Sequence, residues 1–253
     1  MKYDLQKASM LKRISAWLLD MILLLVLASG FGLCLSVILD YNQHSDALFA
    51  CYDRYETQYG VDFDITAEEY EKLSQEDRDR FDEASKALMN DSEAAQAYSL
   101  VVSMSLVIVS ISILLGYLVL EFIIPLWLKN GQTVGKKVFG IALMRADGVR
   151  LTPFMLFVRT VLGKYTIETM IPVLAISMLL LGTMGAVSLT VLAVILVAEI
   201  VLMIRSRTNA TIHDYMSATV AVDMASQMIF DSPEALMAYN RQVHAEEVRK
   251  QIY

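Results

Sequence analysis

Residues 14–39 read ISAWLLDMILLLVLASGFGLCLSVIL, an apolar run interrupted by one charge, Asp20. A helix rises about 1.5 Å per residue and a hydrocarbon layer is about 30 Å thick, so about 20 such residues cross it. This run is long enough. Lys2, Lys7, Lys12 and Arg13 precede it against one acid, Asp4. Bases collect on the cytoplasmic side, which puts the N-terminus inside. The alternative is a cleaved signal peptide. An h-region is shorter, and Leu39-Asp40-Tyr41 is no small-residue cleavage site, so a retained anchor is the better reading.

Working outward, Leu100 to Leu128 forms a second run with one acid, Glu121, and Trp127 near its end. From Pro172 to Ile204 the chain holds only Glu199, and Gly182-Thr183-Met184-Gly185 divides that stretch. A single helix there would be about 50 Å long, well beyond a bilayer core. A hairpin turning at 182–185 predicts four spans, the third borrowing from an amphipathic helix that begins at Pro153. A single tilted third span is the runner-up. Hydrophobic residues make up 56% of the 253, above the usual ~45–50%. The predicted class is an all-α polytopic membrane protein, a four-span bundle with a small cytoplasmic β-hairpin and an acidic extracytoplasmic helical insert.

The charge is divided along the chain. Residues 40–98 hold 16 acids and 5 bases, net −11, and the remainder holds 12 acids and 16 bases, net +4. Thr66-Ala67-Glu68-Glu69 and Ser74-Gln75-Glu76-Asp77 read as capped helix starts. Tyr41, Tyr52, Tyr55, Tyr59 and Tyr70 supply apolar substance, so a small helical cap is expected, against a floppy acidic loop. The expected domains are 1–39 (N-terminus and first span), 40–98 (insert), 99–230 (remaining membrane domain) and 231–253 (cytoplasmic helix, opened by Ser232-Pro233). Between spans, Val138 to Met144 is strand-like, and Asp147-Gly148 signals a hairpin turn.

Several functions are excluded or unsupported. Cys34 and Cys51 form no scaffold, and His44, His213 and His244 stand far apart, so no metal site is expected. No basic face suggests nucleic acid. Gly131 to Lys137 lacks the spacing of a phosphate loop: three residues separate the glycines and Lys137 stands where a hydroxyl belongs. No nucleotide, cofactor or enzymatic activity is expected.

Arg13 with Ala16-Trp17-Leu18-Leu19-Asp20, then Gly131-Gln132-Thr133-Val134-Gly135-Lys136, then Arg159, and finally His213-Asp214 with Thr219 and Val220, resemble the motifs of the RDD family of membrane proteins. The resemblance covers about 11–40 and 115–222. It carries the family's one Arg and two Asp onto Arg13, Asp20 and Asp214, and it departs at the 40–98 insert. It implies a multi-pass protein of the plasma membrane, bacterial, with both termini cytoplasmic. The family's role is described as transport or as accessory to other membrane complexes.

One pattern comes from the residues themselves. Asp20, Glu121 and Glu199 are single acids in three spans, each six to eight residues from a base at the boundary. Acids facing lipid are expensive, so they should face inward and could meet. Either they are ion-paired, with Arg13, Arg159 and Lys164 as the available bases, or they form a proton or sodium site. Lys136 and Lys137 are expected near anionic headgroups, and Asp214 is expected on Arg159 or on N–H groups at a helix start. Two functions fit these residues: an accessory or scaffold subunit that binds a protein partner or its own copies, or a small proton- or sodium-coupled transporter.

Overall fold

The computed structural model describes residues 5–128 and 130–252. Lys2, Asp4 and Lys129, whose charges bear on orientation, lie outside them. The elements run α1 (Met10–Ile38), α2 (Tyr41–Tyr59), α3 (Ala67–Lys72), α4 (Gln75–Asn90), α5 (Ser92–Leu128), α6 (Val134–Val138), β1 (Ile141–Arg145), α7 (Pro153–Leu180), α8 (Gly185–Arg205), α9 (Ile212–Met216), β2 (Thr219–Asp223) and α10 (Pro233–Ile252). Among the described residues four helices, α1, α5, α7 and α8, are long and apolar enough to cross a membrane. Leu18, Leu25, Leu33 and Val37 on α1 are exposed, a surface that water disfavours and lipid suits.

The chain divides into two compact units, 29–112 and the pair 1–28 with 113–253. In the first, α2 stops at Gly60, whose φ of +63° closes a turn with its N–H on the Glu56 carbonyl. Thr66 and Glu69 form a reciprocal capping box, and Ser74 caps α4. Phe63 meets Tyr52 and Phe81 edge-on at 6.0 and 5.5 Å, and Tyr70 meets Phe81 at 5.3 Å. Arg54 ties α2 to Asp91 (2.7 Å) and Glu93 (3.0 Å). The insert is a packed helical body, with Phe63 and Phe81 joining the tyrosines.

In the second unit, α7 opens on Pro153 with Thr152 as cap, and α7 and α8 are separate helices joined at 181–184, where Gly182 takes a φ of +68°. Parts of α5 (Leu118–Ile123) and α7 (Val158–Met170) are wound as π-helix. That winding frees carbonyls and re-aims side chains. The Thr160 hydroxyl donates to the Glu121 carbonyl at 2.8 Å, satisfying one such group.

The strands correct the hairpin expectation. Val138 ends α6, and the strand begins only at Ile141. The turn at Asp147-Gly148 forms, with the Arg145 N–H on the Val149 carbonyl at 2.8 Å. Val149 then bridges to Phe230, and β1 pairs antiparallel with β2 from Ile141↔Asp223 to Arg145↔Thr219. The reason is burial. The first four residues of each strand are buried, so both faces need cover. Ile141, Leu143 and Ala221 pack on Ala8 and Ala16, while Ala142, Met144, Val220 and Val222 pack together on the opposite face. A polar strand after Gly148, containing Arg150 and stopped by Pro153, could not fill that place.

Candidate functional site

Arg13 and Asp20, seven apart on α1, share a helix face but take different partners. Arg13 Nη2 donates to Asp214 Oδ2 at 2.9 Å, and its Nη1 to the Asn209 carbonyl at 2.7 Å. Arg159, almost fully buried on the π-wound part of α7, donates to Asp214 Oδ1 and to Thr219 Oγ1 at 2.6 Å. Its Nε is buried, with no acceptor among the described residues. Asp214 also takes the Thr211 N–H, at the start of α9. Burial alone would raise the Asp214 carboxyl, but two guanidinium groups outweigh it and hold the group well below the usual carboxylate range.

Asp20 is held from the other side. Its Oδ1 accepts the Gly135 N–H at 2.7 Å, and its Oδ2 accepts the Thr133 hydroxyl. Position 135 admits only glycine, because a Cβ there would stand 2.9 Å from the Asp20 carboxyl carbon and press on the Ala16 carbonyl. Gln132 donates to the Ile141 carbonyl at 2.7 Å, fixing the loop to β1. Gly131 makes the turn with a φ of +63°.

Lys136 departs from its expected place among headgroups. It is buried, with Nζ 3.4 Å from Glu121 Oε2 and 4.0 Å from Asp20 Oδ2. The capped turn of α6 points it inward, since Thr133 accepts the Lys136 N–H. Burial pulls the Lys136 ammonium down to about 8, Glu121 and Asp20 opposing. Lys164 reaches Glu121 from α7, so that carboxylate lies between two lysines.

Glu168, which sequence reasoning missed, completes the set. It accepts the His213 backbone N–H at 2.8 Å and pairs with His213 Nδ1 at 2.6 Å. Burial first, and the Arg159 charge next, pull His213 below the ordinary histidine range, against Asp214 and Glu168. A Cβ at Gly163 would lie 2.6 Å from His213 Cβ, so glycine permits this approach of α7 to α9. Glu199 accepts the Ile212 N–H at 3.3 Å. Of the three acids expected to meet, Asp20 and Glu121 therefore share Lys136, while Glu199 sits apart from that pair.

A cavity of about 350 Å³ lies within this unit. Asp20, Lys136, Glu168, Glu199 and His213 reach its wall, with Trp17 and Met203 among the apolar residues. A second void of about 50 Å³ shares Trp17, Asp20, Lys164, Glu168 and His213 with it.

A model of the RDD family matches residues 7–218. The chain belongs to the RDD family. No curated protein and no solved structure matches it. The RDD match spans the insert as well, and it includes Arg13, Asp20, the Gly131–Lys136 block, Arg159 and His213-Asp214, stopping just short of Thr219. Those RDD motif residues all fall in one compact unit, where they build the ion pairs and part of the cavity wall.

Proposed function

We propose that this RDD membrane protein is a small proton- or sodium-coupled transporter of the plasma membrane, with the cavity as its binding place. The observation that carries this reading is a void of about 350 Å³ set among acidic and basic side chains in the unit that holds the motifs. Empty volume and buried charge both cost stability, so a purely structural bundle gains nothing by combining them. Asp20 and Glu121 are taken up by hydroxyl, amide and ammonium donors. Glu168 instead faces a titratable partner, His213, and Glu199 accepts a backbone N–H from Ile212. A histidine opposite a carboxylate is a common proton-exchange pair.

The accessory role has an observation of its own. The last helix, α10, is exposed along most of its length and presents Met237, Tyr239 and Val248, a surface suited to a protein partner or a second copy.

Reconstituted vesicles carrying an internal pH dye separate the two readings. The transporter reading expects proton movement when a cation gradient is imposed, lost in Glu168→Gln. Folded protein that moves no protons under any imposed cation gradient would sink it and leave the accessory role.

A further inference from the structure

The cavity's charges do not balance. Arg13, Lys136, Arg159 and Lys164 give four positive charges on or beside its wall. Asp20, Glu121, Glu168, Glu199 and Asp214 give five negative ones. The bases are committed: both arginines to Asp214, both lysines to Glu121. Among the described residues no Lys or Arg lies within ion-pair distance of Glu168 or Glu199, and both line the cavity. With His213 uncharged the set is one positive charge short.

The rest of the wall selects the kind of cation. A bare hard cation wants about six oxygen ligands, and no group of metal-binding side chains occurs among the described residues. The remaining wall is mostly apolar, with Met10, Ile14, Trp17, Ile141 and Met203, and carries two neutral polar residues, Asn209 and Thr211. Trp17 is among the residues that line the cavity and is not buried by neighbouring side chains. A positive charge over an indole is attracted by the ring's quadrupole, and this contact grows when water is removed. A volume of about 350 Å³ is at the small end of organic-ligand pockets and much larger than an ion.

We propose that the cavity binds a small organic monocation with an apolar body, its charge against Glu168 and Glu199 and its body against Trp17, Met10 and Met203. This rests on the transporter reading and names its substrate class. It also supplies the coupling. The imidazole of His213 faces Glu168, Asp214, Arg159 and Thr211. A proton there brings the sum to zero, so proton and organic cation compete for the same vacancy.

The test uses the full chain in detergent with Trp127→Phe, which leaves Trp17 as the sole tryptophan. Benzyltrimethylammonium is titrated while Trp17 fluorescence is followed, beside its neutral carbon isostere neopentylbenzene and the anion benzylsulfonate. The expected result is saturable binding of the cation, at least about ten-fold weaker for the other two and for Glu168→Gln. Binding should also weaken as pH falls from 7.5 to 5.5. Equal binding of all three probes, no binding of the cation, or unchanged affinity in both Glu168→Gln and Glu199→Gln overturns the proposal. If Glu168→Gln does not fold, Glu199→Gln and the probe series decide. Cation binding without vesicle flux keeps the site and removes transport; flux without binding removes only the substrate class.

Discussion

Asp214 is the residue on which most of the site depends. It accepts from Arg13, Arg159 and the backbone of α9, and it is almost fully buried. Removing one partner of a buried pair leaves an uncompensated charge and costs about 3–5 kcal/mol. Asp214→Asn should therefore lower the unfolding temperature sharply in detergent, with Arg159 left without the carboxylate it is ion-paired to. An unchanged melting temperature would show that the pair is not structural. His213 gives the pH dependence. Its charged form is penalised in the fold, so below the ordinary value of 6.5 the unfolded chain binds the proton more readily. Stability contributed by His213 is present above 6.5 and lost as pH falls below it. Melting from pH 8 to 5 should slope downward, and His213→Gln should flatten the slope; equal slopes would refute the assignment. The pairing of Asp214 with Arg159 is legible in the sequence, because a buried acid near a helix start needs a base. Glu168 is not. It stands at the end of an amphipathic stretch and reads as an interfacial charge until the π-wound backbone turns it toward His213. Lys136 is misread for a related reason: spacing places a lysine near a boundary but cannot say that Thr133 caps a turn aiming it inward.

At the scale of elements, helices are the most legible part. Apolar runs set the four long ones, and Thr66, Ser74, Pro153 and Ser232 mark starts that the structure keeps. The strands are the reverse case. Asp147-Gly148 specifies a turn but not a partner for β1, and β2 lies more than 70 residues beyond β1. Its sequence, Thr219-Val220-Ala221-Val222-Asp223, is visible only as part of a motif. The pairing is decided by burial on both faces, a property of tertiary packing. The two short strands then act as the clamp joining the Gln132 loop to the Asp214 turn. Met144 is fully buried between Val220 and Val222. Met144→Ala should cost about 2–5 kcal/mol, read as lowered melting temperature together with faster proteolysis near 145–152. A loss confined to the loop, with melting unchanged, would mean the sheet is peripheral.

For the whole molecule the governing fact is the separation of charge along the chain, −11 over 40–98 against +4 elsewhere. Bases flanking short loops resist translocation, whereas acids count for little and a long loop with few bases is free to cross. Lys136, Lys137, Arg145 and Arg150 surround β1, and Arg205 and Arg207 follow α8. Both regions should therefore stay inside the cell, with the insert outside. Two helices then lie between the basic regions, and an even number of crossings returns the chain to the same side, so the 181–184 turn should face outward. Single cysteines in a background lacking Cys34 and Cys51 test this with a membrane-impermeant maleimide on intact cells. Glu76→Cys and Thr183→Cys should label at once, and Asp147→Cys and Arg207→Cys only after permeabilisation. Labelling of Asp147→Cys in intact cells would invert the topology. Thr183→Cys protected while Glu76→Cys reacts would mean that α7 and α8 enter and leave from one face without crossing. The motif residues would then form a pocket open only inward, and transport would fail on geometry alone.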